Sequence, residues 1–227
     1  MAGWQSPIFV GVASSSASAC IYVLAGTNGA GKSSVGGAAI RERGADYFNP
    51  DEATRRIRLA NPHISEREAN STAWQEGKRL LEEAIAKRST FAMETTLGGE
   101  TITGLLLRAL AEGIEARIWY VGLATPELHI ARVRARVARG GHDIPENKIR
   151  QRFEHSRINL IRLLPQLTEL RLFDNSMDAD PATGVAPTPL LVLDIVERKI
   201  VAMCDLEEVP AWAKAIVAAA VVLSTGK

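Results

Sequence analysis

Eight consecutive residues, Gly26 to Ser33, restrict the folds open to this chain more than any other feature of its sequence. They read Gly-Thr-Asn-Gly-Ala-Gly-Lys-Ser, so that two glycines five positions apart are followed by Lys and Ser. Glycines let the backbone wrap an anion with its N–H groups turned inward, and a following helix adds the positive end of its dipole. The pattern therefore predicts a phosphate-binding loop between a strand and a helix.

The flanking sequence agrees with this prediction. Residues 20–25 form a short apolar run that predicts a buried strand, and residues 34–44 have the pattern of a helix. Lys32 can then reach the β- and γ-phosphates of a nucleoside triphosphate, and the Ser33 hydroxyl can bind Mg²⁺. The alternative is a glycine-rich turn that binds nothing. The nucleotide-binding candidates are Gly26, Thr27, Asn28, Gly29, Ala30, Gly31, Lys32, Ser33 and Ser34.

Composition excludes several classes of protein. The 227 residues carry 27 Lys and Arg against 26 Asp and Glu, so the net charge indicates no particular partner. Two cysteines form no disulfide framework and suit a reducing cytoplasm. No run approaches the ~20 apolar residues of a membrane span. Residues 1–19 lack the features of a secretion signal and are interpreted as a flexible N-terminal extension.

Strand and helix patterns alternate after the loop, which predicts an α/β fold: a P-loop kinase-like parallel sheet with helices on both faces. Strands are predicted at residues 20–25, 46–49, 90–94, 116–122 and 170–174, with a long helix from Ser65 to about Arg88. A C-terminal hairpin (residues 190–204) and a helix starting near Pro210 follow. We expect residues 20–227 to form one domain.

Three carboxylates, Asp51, Glu94 and Asp174, fall at or just beyond the ends of predicted strands, where ligands of such sheets bind. Asp51 follows Asn49-Pro50 and can accept or align a hydroxyl proton; the alternative is a helix N-cap. Glu94 ends a buried strand and precedes Thr95 and Thr96. A buried carboxylate needs a partner, and a substrate or metal contact is favoured over a cap.

An Arg-rich segment spans residues 130–162, with eight Arg and one Lys against three acidic residues. Arg132, Arg136 and Arg139 share one flank of a predicted helix, and Arg152 lies on the next helix, beyond Gly140-Gly141-His142. Arg favours bidentate phosphate contacts, so the segment predicts a helical lid at about residues 126–165. The alternative is a solvated basic face. The lack of stacking aromatics argues against nucleic acid, and His142 is interpreted as a loop hydrogen-bonder.

Taken together, these motifs resemble the zeta-toxin family of P-loop kinases, and its compact branch in particular. The residues that carry the resemblance are the phosphate-binding loop, Asn49-Pro50-Asp51, Glu94-Thr95-Thr96-Leu97, Tyr120-Val121-Gly122-Leu123, Arg132 with Arg136, Gly140-Gly141-His142, Pro145, Arg152, Asn159-Leu160 and Asp174-Asn175-Ser176.

The resemblance implies a role for each matching residue. Lys32 and Ser33 would bind ATP and Mg²⁺, Asp51 would be the base, and Asp174 and Asn175 would border the adenine. It implies further that Glu94 and Thr95 or Thr96 contact the acceptor, and that Arg132, Arg136 and Arg152 lie near the transferred phosphate. Characterised members phosphorylate the sugar 3′-hydroxyl of UDP-N-acetylglucosamine, and some are held inactive by an antitoxin protein.

The leading hypothesis is an ATP- and Mg²⁺-dependent cytoplasmic kinase that phosphorylates a hydroxyl of a small molecule, with a nucleotide sugar favoured. The alternatives are a kinase for another metabolite, an antibiotic or a nucleotide, or a non-catalytic nucleotide-binding regulatory module. A polynucleotide acceptor is disfavoured by the short predicted loops. The guanine-specificity pattern is absent, because Asn147-Lys148 is followed by Ile149-Arg150.

Overall fold

A seven-stranded sheet organises the protein in a computed structural model, which describes residues 18–36, 47–178 and 188–226. The strands are β1 (Cys20–Ala25), β2 (Tyr47–Phe48), β3 (Phe91–Thr95), β4 (Glu115–Gly122), β5 (Glu169–Asp174), β6 (Leu190–Val196) and β7 (Lys199–Met203). Their order is β2-β3-β1-β4-β5-β6-β7. The first five are parallel, and β6 and β7 are antiparallel additions at one edge. The predicted α/β fold is confirmed.

Seven α-helices connect or cover these strands among the described residues. They are α1 (Lys32–Val35), α2 (Pro50–Ala60), α3 (Glu66–Lys87), α4 (Glu100–Ala111), α5 (Pro126–Val137), α6 (Glu146–Leu163) and α7 (Lys214–Thr225). No helix in the described ranges is long and apolar enough to cross a bilayer.

Local sequence explains where the helices begin. The Asn49 side chain accepts hydrogen bonds from the backbone N–H groups of Asp51 and Glu52 and so caps α2. The predicted capping box of α3 is present, because Ser65 and Glu68 each satisfy the other's backbone N–H. Asn49, rather than Asp51, is therefore the N-cap of α2, and the Asp51 side chain is left for other contacts.

Side chains of β1 point alternately to the two faces of the sheet and so contribute to two separate hydrophobic clusters. Ile21 and Val23 belong to the main core, which also includes Leu81 of α3 and Leu160 of α6, whereas Leu24 packs into a second cluster on the opposite face. The strand order reverses at β1, which has β3 on one side and β4 on the other. Ligands of doubly wound sheets bind at such a switch point.

Several predicted boundaries differ from the structure. The last helix starts at Lys214 rather than near Pro210, because residues 211–213 form turns. The hairpin prediction is confirmed, and its turn residues Glu197 and Arg198 both have positive φ angles, as a tight two-residue turn requires. Most of the predicted helix at residues 34–44 and of the extension at residues 1–19 lies outside the described residues.

Candidate active site

The loop between β1 and α1 has the backbone geometry of an anion cradle. Gly26 and Gly31 have φ angles of 139° and 82°, in the region that favours glycine. A Cβ atom on Gly26 would lie 2.1 Å from the Val121 carbonyl oxygen, and one on Gly31 would lie 2.5 Å from Asn175 Nδ2. Both positions therefore require glycine for conformation and for space.

Three contacts from two neighbouring segments, the residues after β5 and α6, hold this loop. Asn175 Nδ2, after β5, donates to the Ala30 carbonyl oxygen at 2.9 Å. Arg152 of α6 donates to Asn28 Oδ1 at 2.7 Å. The Thr27 hydroxyl lies 3.4 Å from the buried Ser156 hydroxyl of the same helix. These contacts pre-form the loop before any nucleotide binds.

His129 of α5 gives the loop a further contact that the sequence reasoning missed. Its Nδ1 lies 2.8 Å from the Asn28 carbonyl oxygen, and its side chain is buried. Burial lowers the pKa of His129 to about 4, so the ring is neutral near pH 7 and donates through Nδ1. The sequence contained a signal for this burial, because His129 lies at helical spacing from two apolar residues of α5, four residues before Val133 and eight before Val137.

Lys32 is influenced by the charges of two acids, Asp51 and Glu94, and of two arginines, Arg136 and Arg152. Its Nζ donates to the Gly26 carbonyl oxygen at 2.9 Å. Burial lowers the pKa of its ammonium; Glu94 and Asp51 raise that pKa, and the charges of Arg136 and Arg152 lower it further. The structure therefore brings the predicted P-loop lysine together with four other predicted site residues.

Ser33 and Glu94 lie side by side. Ser33 Oγ donates to Glu94 Oε1 at 2.8 Å, and the Tyr47 hydroxyl donates to the same oxygen. Glu94 is buried at the end of β3. Mg²⁺ prefers oxygen ligands and is commonly held by one or two protein groups together with substrate phosphates. These two side chains fit that requirement.

The Asp51 side chain faces α5 and the loop that follows it rather than its own backbone. Arg136 Nη1 lies 3.4 Å from Asp51 Oδ2, and His142 Nε2 lies 3.7 Å from Asp51 Oδ1. The Arg136 guanidinium also donates to the His142 carbonyl oxygen. His142 thus contacts the candidate base directly, in addition to the loop role predicted for it.

A cleft of about 570 Å³ lies between α2, α3, the end of β3 and the start of α6. Its lining includes the predicted residues Asn28, Lys32, Asp51, Glu94, Thr95, Thr96 and Arg152. Thr95 and Thr96 accept hydrogen bonds from the backbone N–H groups of Leu97 and Gly98, which shapes the rim. One face of α3 lines the same cleft with Arg67, Asn70, Ser71, Trp74 and Lys78. The sequence reasoning did not identify this face.

The predicted shared flank of Arg132 and Arg136 is split between two regions. Arg132 donates to the Asn175 carbonyl oxygen at 2.8 Å and forms an ion pair with Asp178, in the segment after β5. Arg136 points towards α2 instead. A role for Arg132 at the transferred phosphate stays a prediction.

Asp174 has partners within the protein. Its Oδ2 accepts hydrogen bonds from Trp212 Nε1 at 2.5 Å and from the Ser176 hydroxyl at 2.8 Å, while Oδ1 accepts from the Ser176 backbone N–H. Trp212 is buried and its ring covers Gly122. Asp174 therefore anchors the C-terminal segment to the end of β5, and its place beside adenine stays a prediction.

Replacing Asp174 with Ala is expected to lower the free energy of unfolding by about 1–3 kcal/mol, because the buried Trp212 N–H loses its acceptor. Denaturant unfolding measures this change, with Asp205→Ala, an exposed Asp after β7, as the control. An unchanged stability combined with weaker ATP binding would instead assign Asp174 to the nucleotide.

Comparisons with known proteins agree with this architecture. The sequence profile of a family described as Zeta toxin matches residues 12–178. A protein of Haemophilus influenzae (strain ATCC 51907 / DSM 11121 / KW20 / Rd), described only as an uncharacterized protein, is 31% identical over 132 residues, which cover 56% of this chain and 88% of that protein.

Solved structures show the same fold. The complex of AvrRxo1-ORF1 and AvrRxo1-ORF2 with sulphate ions gives a TM-score of 0.64 at 15% identity, covering 84% of this chain and 62% of that chain. The same complex with ATP gives a TM-score of 0.61 at 16% identity, covering 79% of this chain and 59% of that chain. The chain thus spans about three fifths of the length of those solved chains.

Proposed function

The chain belongs to the zeta toxin family, and we propose on that basis that it transfers the γ-phosphate of ATP to a hydroxyl of a small molecule. Family membership and fold fit an ATP-dependent kinase. The observation that carries the proposal is that Lys32, Asp51 and Glu94 line one cleft at the carboxyl ends of the central strands. The complex of AvrRxo1-ORF1 and AvrRxo1-ORF2, which contains a chain of this fold, has been solved with ATP, and this supports ATP as the donor.

In the proposed reaction, the loop amides and Lys32 hold the β- and γ-phosphates. Ser33 and Glu94 would hold Mg²⁺, which would supply neutralisation of phosphate charge. The acceptor oxygen attacks the γ-phosphorus as its proton passes to Asp51. The bond between the γ-phosphorus and the β–γ bridging oxygen breaks, and ADP leaves. Arg152 and Arg136 would stabilise charge on the moving phosphoryl group. Residues 20–227 would act as one domain, with residues 126–165 as its lid.

We propose that the acceptor is a nucleotide sugar such as UDP-N-acetylglucosamine. The side of the cleft formed by α3 offers a half-exposed indole, Trp74, between the cations Arg67 and Lys78. A planar base can stack on the indole, and the two cations give this side of the cleft positive charge. Lys148 and Gln151 of α6 line the opposite side. A sugar hydroxyl would then extend towards Asp51.

Other acceptors remain alternatives within the same mechanism, namely another metabolite, an antibiotic or a nucleotide. A non-catalytic regulatory module is the alternative from a different class of protein. By the family resemblance we also propose a cytoplasmic location and an antitoxin protein as partner.

The test is incubation with ATP and Mg²⁺ against nucleotide sugars, free nucleotides and NAD, followed by mass spectrometry. We expect one compound, a nucleotide sugar, to gain the mass of one phosphate. A gain on a different compound would replace the proposed acceptor. ATP hydrolysis without any modified acceptor would contradict the kinase proposal and favour a regulatory module.

A further inference from the structure

A second groove, of about 690 Å³, lies on the other side of Asp51 from the P-loop cleft. It runs between α2 and the segment that ends α5, and we call it the α2–α5 groove. Two Arg pairs with i, i+3 spacing line it: Arg55 and Arg58 on α2, and Arg136 at the end of α5 with Arg139 in the turn that follows. Neither Lys32 nor any other P-loop residue contributes to its lining.

The positive charge of this groove is largely unneutralised. Among the described residues, no carboxylate forms an ion pair with Arg55, Arg58 or Arg139, and the acids in the lining are Asp51, already paired with Arg136, and Glu66. Four other arginines of residues 126–165 are paired with carboxylates, namely Arg134 with Glu146, Arg150 with Glu127, Arg157 with Glu154 and Arg162 with Glu100. Three of the four arginines that line the α2–α5 groove therefore have no carboxylate paired with them among the described residues.

Arginine clusters that face a concave surface suit phosphate, because the guanidinium offers two parallel donors and keeps its charge. We propose that the α2–α5 groove is a second anion site, separate from the P-loop, which takes a phosphate or diphosphate group. Asp51, Thr54 and His142 line both cavities, so the two sites meet at the candidate base. If the proposed kinase function holds, this anion is part of the acceptor whose hydroxyl meets Asp51.

Binding of inorganic pyrophosphate tests the site without any acceptor. The P-loop is first saturated with a non-hydrolysable ATP analogue at fixed free Mg²⁺ and ionic strength, and pyrophosphate is then titrated calorimetrically. The double variant Arg55→Glu with Arg58→Glu is expected to bind pyrophosphate at least tenfold more weakly than the wild type. Arg56→Glu is the matched control, because Arg56 is exposed on the same helix and lines neither cavity.

Equal pyrophosphate affinity in all three proteins would show that the groove is only a solvated basic surface, and would overturn the proposal. The double variant Arg55→Gln with Arg58→Gln repeats the test if the charge reversal disturbs folding, as judged by circular dichroism. It is also expected to weaken binding relative to Arg56→Gln.

Kinetics with an identified acceptor test the link to catalysis. The double variant is expected to raise the KM for the acceptor at least tenfold, with a much smaller change in the KM for ATP. An unchanged acceptor KM would overturn the link. If the wild type phosphorylates no acceptor but binds pyrophosphate in this groove, the kinase proposal fails while the anion site stands, so the two failures are distinguishable.

Discussion

Replacing Lys32 with Ala is expected to lower the rate of phosphotransfer by on the order of 10²- to 10³-fold, the range seen when one preorganised electrostatic contact to a transition state is removed. In the proposed reaction, Lys32 is the cation that holds the β- and γ-phosphates. The measurement is transfer of labelled phosphate from ATP to the acceptor found by mass spectrometry, together with ATP affinity, which is expected to fall.

The thermal stability of Lys32→Ala, unlike its activity, is not expected to fall. Burial lowers the pKa of Lys32, so the folded protein holds this ammonium at a desolvation cost. Lys32→Ala should therefore leave the melting temperature unchanged or raise it, as is common for residues retained for activity. Lys214→Ala, at the exposed start of α7, is the control and should alter neither quantity. Full activity in Lys32→Ala would contradict the proposed phosphate contact.

Sequence reasoning was sufficient for the scaffold because its signals are local. The P-loop glycines, the caps and the buried strand runs act over a few residues, and parallel strands bring their carboxyl ends to one edge. Asp51, Glu94 and Lys32, from three separate segments, could therefore be expected to meet at one site, and they line one cleft.

Contacts between distant segments could not be predicted in the same way. Their spacing puts Arg132 and Arg136 on one flank of α5. In the structure, however, Arg132 contacts the segment after β5, whereas Arg136 contacts Asp51 of α2. The position of Asp174 at the end of a strand predicts that its carboxylate faces a ligand. In the structure, the indole N–H of Trp212, thirty-eight residues further on, donates a hydrogen bond to it. Helix periodicity indicates whether a side chain points towards the core or away from it. It does not indicate which other segment of the chain that side chain contacts.

The same limit explains His142. Its sequence context, two glycines and an Asp, predicts only a turn, whereas the structure brings its ring to Asp51 Oδ1. Leu97 is a further case, because its positive φ of 53° is unusual for a buried leucine. The Asn159 side chain, sixty-two residues away, donates to the Leu97 carbonyl oxygen and holds this conformation at the rim of the cleft.

Replacing Asp51 with Asn is expected to lower phosphotransfer by roughly 10²- to 10⁴-fold, the usual contribution of a general base. Asn keeps the shape and the polar contacts of Asp51 but cannot take the acceptor proton. ATP affinity should stay close to that of the wild type, because the P-loop residues proposed to hold the phosphates are unchanged. Equilibrium titration with a fluorescent ATP analogue checks this.

Glu52→Gln is the matched control for Asp51→Asn, because Glu52 is the next acid on α2 and does not line the cleft. It should retain both transfer and binding. The combination of intact binding and lost transfer is what separates a base from a residue that only holds the nucleotide. Turnover by Asp51→Asn equal to that of the wild type would remove Asp51 from the mechanism. The ion pair with Arg136 and the contact with His142 would then be a structural link between α2 and the end of α5 with its following loop.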